Sequence, residues 1–186
     1  MKELRAEIKF TYEDYKNLPE SETKRYELLE GELIMVPSPG SYHQQISGNL
    51  EFVLRDFVKK NNLGFIYDAP LDVVLSKENV VQPDIFFISK DRSKIIAKEN
   101  IQGAPDLIIE ILSKNTAARD RTLKRTLYAR YGVKEYWLVD PETKTIEVLR
   151  LGEKGYVREA FYKEGEILIS PILKGLRIDL KEIFGL

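Results

Sequence analysis

Two carboxylates stand inside the most apolar segments of this 186-residue chain. Asp84 follows Pro83 in the run VVQPDIFFIS, and Glu110 lies within the run PDLIIEILS. Aspartate and glutamate are rarely buried without a partner, because an ionised carboxylate in an apolar setting is costly. Both acids therefore require a partner, and the sequence leaves two kinds of partner open.

A divalent cation is the first kind of partner. Mg²⁺ prefers oxygen ligands, commonly one or two carboxylates together with waters and substrate phosphates. Such an ion can acidify a water molecule and neutralise charge that develops on a phosphate. The alternative is that each acid pairs with an arginine or accepts hydrogen bonds from backbone amides. For one buried acid the two interpretations are about equal, but for two acids in neighbouring strands we favour Mg²⁺ or Mn²⁺ bound by Asp84 and Glu110.

A third group of polar residues follows the second acid. Asp120, Lys124 and Tyr128 recur at four-residue intervals, which places them on one face of a helix. A lysine on that face could lean over the strand ends and orient a water or hold a phosphate oxygen. The alternative is an ordinary surface pair of Asp120 with Lys124, worth a few tenths of a kcal/mol. Judged on this segment alone, the surface pair is the better interpretation.

Several other chemistries are excluded by the residues that are missing. The chain has no cysteine, which removes disulfides, thiolate zinc sites and cysteine nucleophiles. His43 is the only histidine, so a zinc site built from several histidines is impossible. Neither phosphate-binding glycine motif (GxxxxGK[ST] or GxGxxG) occurs, and there is no GxSxG nucleophile motif. Carboxylate, lysine and hydroxyl chemistry remains.

The composition indicates a globular protein with little net charge. Hydrophobic residues make up 43% of the chain and charged residues 32%. The 29 basic and 30 acidic residues leave a net charge of −1, which counts against coating nucleic acid by bulk electrostatics but allows a local basic rim around an acidic site. No apolar run approaches the roughly 18–20 residues that span a bilayer, and no signal-peptide core is present. We expect a cytoplasmic protein without a membrane partner.

The elements that must position these groups follow from periodicity and turn residues. Three apolar stretches lie in the middle of the chain. The last two, at 80–88 and 106–112, are apolar on both faces, as buried strands are. The predicted elements, in chain order, are a hairpin at 26–36 that turns at Glu30-Gly31, a helix at about 41–61 capped by Ser41, apolar stretches at 65–75, 80–88 and 106–112, a helix at about 116–131 ended by Gly132, the strands KEYWLVD, KTIEVLR and GYVREAFY, and the short helix DLKEIF. This order predicts one mixed sheet flanked by helices.

A series of motifs in a fixed order carries a family resemblance. The motifs are YELLEGELIMVPSP, His43, QPDIFF, GAPDLIIEILSKNT, Asp120 to Lys124, and YGVKEYWLVDP. Over roughly residues 20–150 the chain resembles the restriction-endonuclease-like proteins of the Uma type, a bacterial branch of the PD-(D/E)xK nuclease superfamily. The resemblance implies an α/β fold with a central mixed β-sheet flanked by helices and a metal site at the strand ends. We expect one domain, 1–186, made of an N-terminal hairpin and helix (20–62), a catalytic core (63–140) and C-terminal strands (141–186).

The resemblance also implies roles for individual residues. Asp84 takes the place of the aspartate of the PD motif and Glu110 that of the acid of the (D/E)xK motif, both as metal ligands. The sequence departs from the superfamily at the lysine, because the position two after Glu110 is Leu112. In the family this lysine has moved to the following helix, which implies Lys124. Lys114 is the competitor, although the family more often has proline there.

Further residues match family positions with less defined roles. Glu27 resembles the extra glutamate that often lies near such sites and is counted with the catalytic group. His43 matches a common family histidine that either binds phosphate and tunes the site or only caps a helix. Asp106 matches a second PD pair, or only satisfies backbone and basic groups, and Ser113 either closes the strand or lies beside the metal. The residues expected to support the site or contact substrate are His43, Asp106, Ser113, Lys114, Asp120 and Tyr128.

The function implied by the resemblance is metal-dependent hydrolysis of phosphodiester bonds in nucleic acid, with DNA as the expected substrate. We expect a homodimer, because superfamily members often pair so that two sites face two strands. The alternative is a nuclease fold that has lost catalysis and serves as a nucleic-acid-binding or dimeric interaction module.

Overall fold

The structure is a computed structural model that describes residues 8–19 and 25–185. Residues 20–24, which begin the predicted N-terminal segment, lie outside these ranges, as do both ends of the predicted domain. The helices are α1 (Tyr12–Lys16), α2 (Ser41–Lys60), α3 (Ala117–Arg119), α4 (Arg125–Arg130) and α5 (Leu180–Phe184), with a 3₁₀ helix at Lys90–Ile95 and a π-helical turn at Asp120–Lys124. The strands are β1 (Arg25–Leu29), β2 (Glu32–Val36), β3 (Gly64–Asp68), β4 (Val73–Ser76), β5 (Asn79–Val81), β6 (Ile85–Ser89), β7 (Ile101–Gln102), β8 (Leu107–Ile111), β9 (Glu135–Asp140), β10 (Thr145–Gly152), β11 (Gly155–Lys163), β12 (Ile167–Ile169) and β13 (Arg177–Asp179).

The central sheet is mixed. Within the described part of the chain its six strands run in the order β11-β10-β9-β8-β6-β3, in which β8 and β9 are parallel and the other neighbours antiparallel. The helix α3, the π-helical turn and α4 form the connection that parallel strands β8 and β9 require. The predicted mixed α/β arrangement with flanking helices is confirmed, as are the predicted strands β9 to β11 and the closing helix α5.

The two faces of the central sheet bury different helices. On β8, Ile109 and Ile111 belong to the apolar cluster that contains the buried residues of α2 and α5. Ile108 and Leu112 belong instead to the cluster that contains α4. Since successive strand residues point to opposite faces, Glu110 shares the α4 face with Ile108 and Leu112.

The N-terminal hairpin belongs to a second sheet. Within residues 25–185 its strands run in the order β2-β1-β5-β4-β7. The turn between β1 and β2 has positive φ at both Glu30 (54°) and Gly31 (84°), the geometry of a two-residue type I′ hairpin. A Cβ at Gly31 would also lie 2.8 Å from the Cβ of Lys9, so glycine satisfies both the backbone and the packing. The predicted hairpin is confirmed.

Two predictions about the strands are wrong. The run VVQPDIFFIS is not one buried strand, because β5 ends at Val81 in the second sheet and β6 begins at Ile85 in the central sheet. Pro83 lacks the N–H that a continuous internal strand must donate, and the chain changes sheet there. The apolar stretch 65–75, for which no single strand was predicted, contains most of β3 and of β4. The strands therefore form two main sheets and a β12-β13 pair, not one sheet, within the described ranges.

The helix boundaries are close to the predicted ones, but the N-cap of α2 differs. Gly40 is the N-cap residue and makes no side-chain capping bond, whereas Ser41 is the first helical residue. At the other predicted helix, Gly132 (φ 81°) follows α4, and the Val133 amide donates to the Tyr128 carbonyl at 3.0 Å. This is the αL glycine that ends a helix, so the predicted stop at Gly132 is confirmed.

Asp106 anchors the start of β8, away from the other candidate residues. Its carboxylate lies 2.7 Å from the Lys134 ammonium and 3.1 Å from the Arg92 guanidinium, and it accepts a hydrogen bond from the Ser89 amide at 2.8 Å. Four residues of extended strand, about 13 Å, separate it from Glu110. Of the two interpretations of Asp106, the structure shows the one in which it satisfies basic and backbone groups.

This arrangement predicts a pH-dependent contribution of Asp106 to stability. Burial would raise the pKa of Asp106, but Lys134, the Ser89 amide and Arg92 together lower it below its ordinary value of 3.8. A lowered pKa contributes stability that is present above pH 3.8 and lost as pH falls through the folded-state pKa. We expect Asp106→Asn to lower the free energy of unfolding by about 1–3 kcal/mol at pH 7. Urea unfolding should show the gap to wild type shrinking below pH 3.8, and a gap independent of pH would contradict this account.

No helix of the described residues is both long and apolar enough to cross a membrane.

Candidate active site

Asp84 and Glu110 lie side by side on neighbouring strands of the central sheet. Ile85 of β6 pairs with Ile109 of β8 in antiparallel register, and the two acids stand one position beyond this pair. Glu110 faces away from the α2 side, which Ile109 occupies, whereas Asp84, one residue before β6, contacts His43 of α2. The Asp84 Oδ2 atom accepts a hydrogen bond from the Ile111 amide at 2.7 Å, which joins the two strands at this point.

Glu110 is the centre of a buried network. Its Oε1 atom accepts a hydrogen bond from the Lys124 ammonium at 3.0 Å and another from the Tyr128 hydroxyl at 2.6 Å. The same ammonium donates to Glu27 Oε1 at 2.9 Å and lies 3.6 Å from Asp120 Oδ1. Only 6% of the Lys124 side chain is exposed, and the Asp120 and Glu27 side chains are as deeply buried. The interpretation of Asp120 and Lys124 as a surface pair is therefore wrong.

The network holds more negative than positive charge. Burial favours the neutral form of Lys124, but Glu110, Glu27 and Asp120 outweigh it and raise the pKa of the lysine well above its usual value. Lys124 is therefore an ammonium ion. Burial also raises the pKa of Glu110 and of Asp120 despite the nearby ammonium, and neighbouring carboxylates add to the rise. Three buried carboxylates share one cation, so the network can accept further positive charge.

The π-helical turn Asp120–Lys124 sets the geometry of this network. A π turn holds about one residue more than an α turn, which changes the direction of the residues that follow it relative to those before it. Asp120 begins the turn and Lys124 ends it, and the Lys124 ammonium lies 3.6 Å from Asp120 Oδ1 and 3.0 Å from Glu110 Oε1. The hydroxyl of Tyr128, in α4, lies 2.6 Å from the same Glu110 atom. The side chains of Asp120, Lys124 and Tyr128 are all buried and turned to the Glu110 side of the helix.

The Tyr128 hydroxyl positions Glu110, which leads to a prediction. Removing it with Tyr128→Phe leaves the buried carboxylate one donor short, so we expect a loss of about 1–3 kcal/mol in unfolding free energy. For the nuclease activity that the family resemblance implies, we expect a fall of about 10- to 100-fold, the usual cost of losing a group that orients a metal ligand. Tyr136→Phe is the matched control, because that hydroxyl bonds the Asp120 carbonyl at 3.1 Å instead of the Glu110 carboxylate. Equal losses of cleavage in both variants would contradict a specific role for Tyr128.

A cavity of about 480 Å³ opens on these residues and is called the site cavity below. Its floor includes Glu27, Asp84, Glu110, Asp120 and Lys124. Its walls are residues 36–43, residues 111–117, Arg119 and residues 140–142, with Arg25 and Gln82 completing the lining. The acids and lysine of the network are thus recessed below the protein surface, yet they border a space that a ligand can enter.

His43 and the residues after Glu110 line the site cavity in different ways. His43, in the first turn of α2, places its Nε2 atom 3.3 Å from Asp84 Oδ2. Burial lowers the pKa of His43, but Asp84 and the Ile111 backbone outweigh it, so the pKa is raised. The hydroxyl groups of Ser113 and Thr116 are hydrogen-bonded at 3.1 Å, which closes the turn that follows β8. The exposed Lys114 lies 3.7 Å from Glu142 and makes no described contact with Glu110, which leaves Lys124 as the lysine at the acids.

Four of the site-cavity residues that sequence reasoning did not single out are Gln82, Arg25, Tyr42 and Arg119. Gln82 donates its backbone N–H to Glu27 Oε1 at 3.0 Å, which fixes that carboxylate beside Lys124. Arg25, Tyr42 and Arg119 line the walls. The position of Gln82 in the QPD motif was a signal for it, but arginines are common on surfaces and Tyr42 stands at an ordinary helix start. Arg25, Tyr42 and Arg119 meet at the cavity only because the fold brings three separate chain segments together.

A mixed sheet with helices on both sides, with Asp84 and Glu110 at two paired strands and Lys124 on the helical connection beside them, defines a restriction-endonuclease-like α/β protein. The chain belongs to the Uma2 family, whose model carries the description "Putative restriction endonuclease" and matches residues 12–181. It is 26% identical over 132 residues to the uncharacterized protein sll1609 of Synechocystis, covering 70% of this chain and 74% of that protein. It shares its fold with the crystal structure of a putative nuclease belonging to DUF820 from Anabaena variabilis, with a TM-score of 0.78 and 24% identity over 94% of this chain and 97% of that one.

Proposed function

We propose that this protein is a divalent-metal-dependent nuclease that hydrolyses phosphodiester bonds in DNA. The observation that carries the proposal is the placement of Asp84 and Glu110 on paired strands at one cavity, with the Lys124 ammonium 3.0 Å from Glu110. Membership of the Uma2 family supports the same chemistry.

The donor set fits a hard divalent cation. Asp84 and Glu110 are the residues that would hold Mg²⁺ or Mn²⁺, since such ions often bind one or two carboxylates and keep several waters. Three further observations favour a cation: the excess of carboxylates over lysine, the raised pKa of Glu110, and the buried Asp120 Oδ1 atom that has no hydrogen-bond partner among the described residues. A bound divalent cation supplies acidified water and neutralises charge on the phosphate.

The chain's own groups position the reactants. Lys124 keeps its proton, so it acts as a hydrogen-bond donor and positive charge towards a phosphate oxygen or the attacking water, not as a general base. Glu27 and Asp120 hold the ammonium in place, and Tyr128 holds Glu110. Water attacks phosphorus and gives up a proton to solvent, the phosphorus–oxygen bond to the leaving group breaks, and the leaving oxygen takes up a proton from solvent.

The test is a cleavage assay on plasmid, linear, single-stranded and RNA substrates. We expect cleavage with Mg²⁺ or Mn²⁺ that stops on addition of EDTA. Cleavage that persists in EDTA, or that survives in both Asp84→Ala and Glu110→Gln, would show that another site is responsible.

A second candidate is a nuclease fold without catalysis that binds nucleic acid or a partner. Within residues 8–19 and 25–185, no three or more histidine, aspartate or glutamate side chains are arranged as a ready metal site, which favours this candidate. Calorimetric titration of Mn²⁺ into wild type and Asp84→Ala separates the two functions, because only the nuclease requires metal binding that the substitution abolishes. Dimerisation stays a prediction that analytical ultracentrifugation would test.

A further inference from the structure

We propose that the site acts on unpaired DNA strands, with Tyr42 as the surface on which a base stacks. This inference rests on the proposed nuclease function and names its substrate class. It starts from the depth of the reactive groups, because the side chains of Glu110 and Lys124 are only 5% and 6% exposed and that of Asp84 21%.

The site cavity is the size of a small ligand, not of a double helix. Its volume of about 480 Å³ falls in the range of roughly 300–1,000 Å³ that suits ligands of nucleotide size. Phosphates of a duplex lie on a convex surface, each held in line by its base-paired neighbours. A nucleotide that leaves the stack to bring its phosphate to the recessed Glu110 costs unstacking and unpairing energy, which an unpaired strand avoids.

The walls of the site cavity contain the kinds of side chain with which other proteins bind single-stranded nucleic acid. Such sites combine basic side chains along the backbone with aromatic rings on which bases stack. Arg25, Lys114 and Arg119 line the site cavity in addition to Lys124. The Tyr42 ring is half-buried against the α2 side of the core, and its hydroxyl donates to the Phe184 carbonyl at 3.0 Å. Tyr42 is also one of the residues that line the site cavity, and its core packing and hydroxyl bond hold the ring in place before any base arrives.

The test compares a 5′-fluorescein single-stranded DNA 20-mer with the same strand annealed to its complement. Wild-type protein is used for affinity in EDTA by fluorescence anisotropy and for cleavage in Mn²⁺. We expect the single strand to bind, and to be cut, at least about tenfold better than the duplex. Equal or better binding of the duplex, or no binding of either DNA, overturns the inference. Preference for the single strand without cleavage of any substrate supports it while the nuclease proposal fails.

Two variants of Tyr42 test the stacking role separately from folding. Tyr42→Leu keeps apolar packing but removes the ring, and we expect single-strand affinity to fall about 5- to 100-fold. Tyr42→Phe keeps the ring and loses only the bond to Phe184, so its affinity should stay within about twofold of wild type. Thermal unfolding of each variant confirms that it is folded at the assay temperature. Equal affinities of Tyr42→Leu and wild type would exclude stacking on this residue.

Discussion

Replacing Glu110 with glutamine is expected to lower the rate of DNA cleavage by more than about 100-fold. Loss of a group that only orients a metal ligand costs about 10- to 100-fold, and loss of the ligand charge itself should cost more. The fold should persist, because the glutamine side-chain oxygen can still accept hydrogen bonds from Lys124 and Tyr128. Neutralising one carboxylate also relieves a network in which burial and neighbouring acids already raise the pKa of Glu110.

Three measurements separate loss of chemistry from loss of structure. Cleavage of a single-stranded oligonucleotide in Mn²⁺ gives the rate, urea unfolding gives the stability, and calorimetry gives Mn²⁺ affinity. Asp84→Asn should behave like Glu110→Gln in all three. Glu159→Gln is the matched control, because Glu159 lies on β11 in an exposed ion pair with Arg150. Full cleavage by Glu110→Gln, with unchanged Mn²⁺ affinity, would contradict the assignment of Glu110.

Replacing Lys124 with methionine is expected to affect both activity and stability. The substitution leaves Glu27, Glu110 and Asp120 buried without their shared cation, and removing one partner of a buried ion pair typically costs about 3–5 kcal/mol. Cleavage should fall by about 100- to 1,000-fold, the usual effect of removing one group that stabilises transition-state charge. The double variant Lys124→Met with Glu110→Gln should be more stable than Lys124→Met alone, because one of the buried carboxylates that lost its cation is then neutral.

Lys114→Met is the control that separates the two candidate lysines. The Lys114 side chain is 85% exposed and pairs only loosely with Glu142 at 3.7 Å, so its removal should change stability by no more than about 0.5 kcal/mol. Its cleavage rate should fall far less than that of Lys124→Met. If Lys114→Met is the inactive variant and Lys124→Met cleaves normally, the functional lysine is the one on the loop.

The elements of this fold followed from local patterns because each pattern has a local cause. The apolar stripe of α2, the positive-φ turn at Glu30-Gly31 and the stop at Gly132 depend on neighbouring residues alone. The pairing of strands depends on residues that are distant in the chain. The wrong prediction of one continuous strand at residues 80–88 shows why. A run of apolar residues looks the same whether it serves one sheet or crosses between two, and only packing against distant strands distinguishes the cases.

The amino-acid sequence was enough to predict which residue types could act: acids in apolar segments, a single histidine, a lysine on a predicted helix, and no cysteine. Their motif order also determined the family. The folded arrangement was needed to show that Asp106 pairs with Lys134 at a separate place, and that Lys124, not Lys114, reaches Glu110. It also brought Tyr42 and Arg119 to one cavity. The reason is that charge and hydrogen-bonding partners are set by distances between segments far apart in the chain, which spacing along the sequence does not specify.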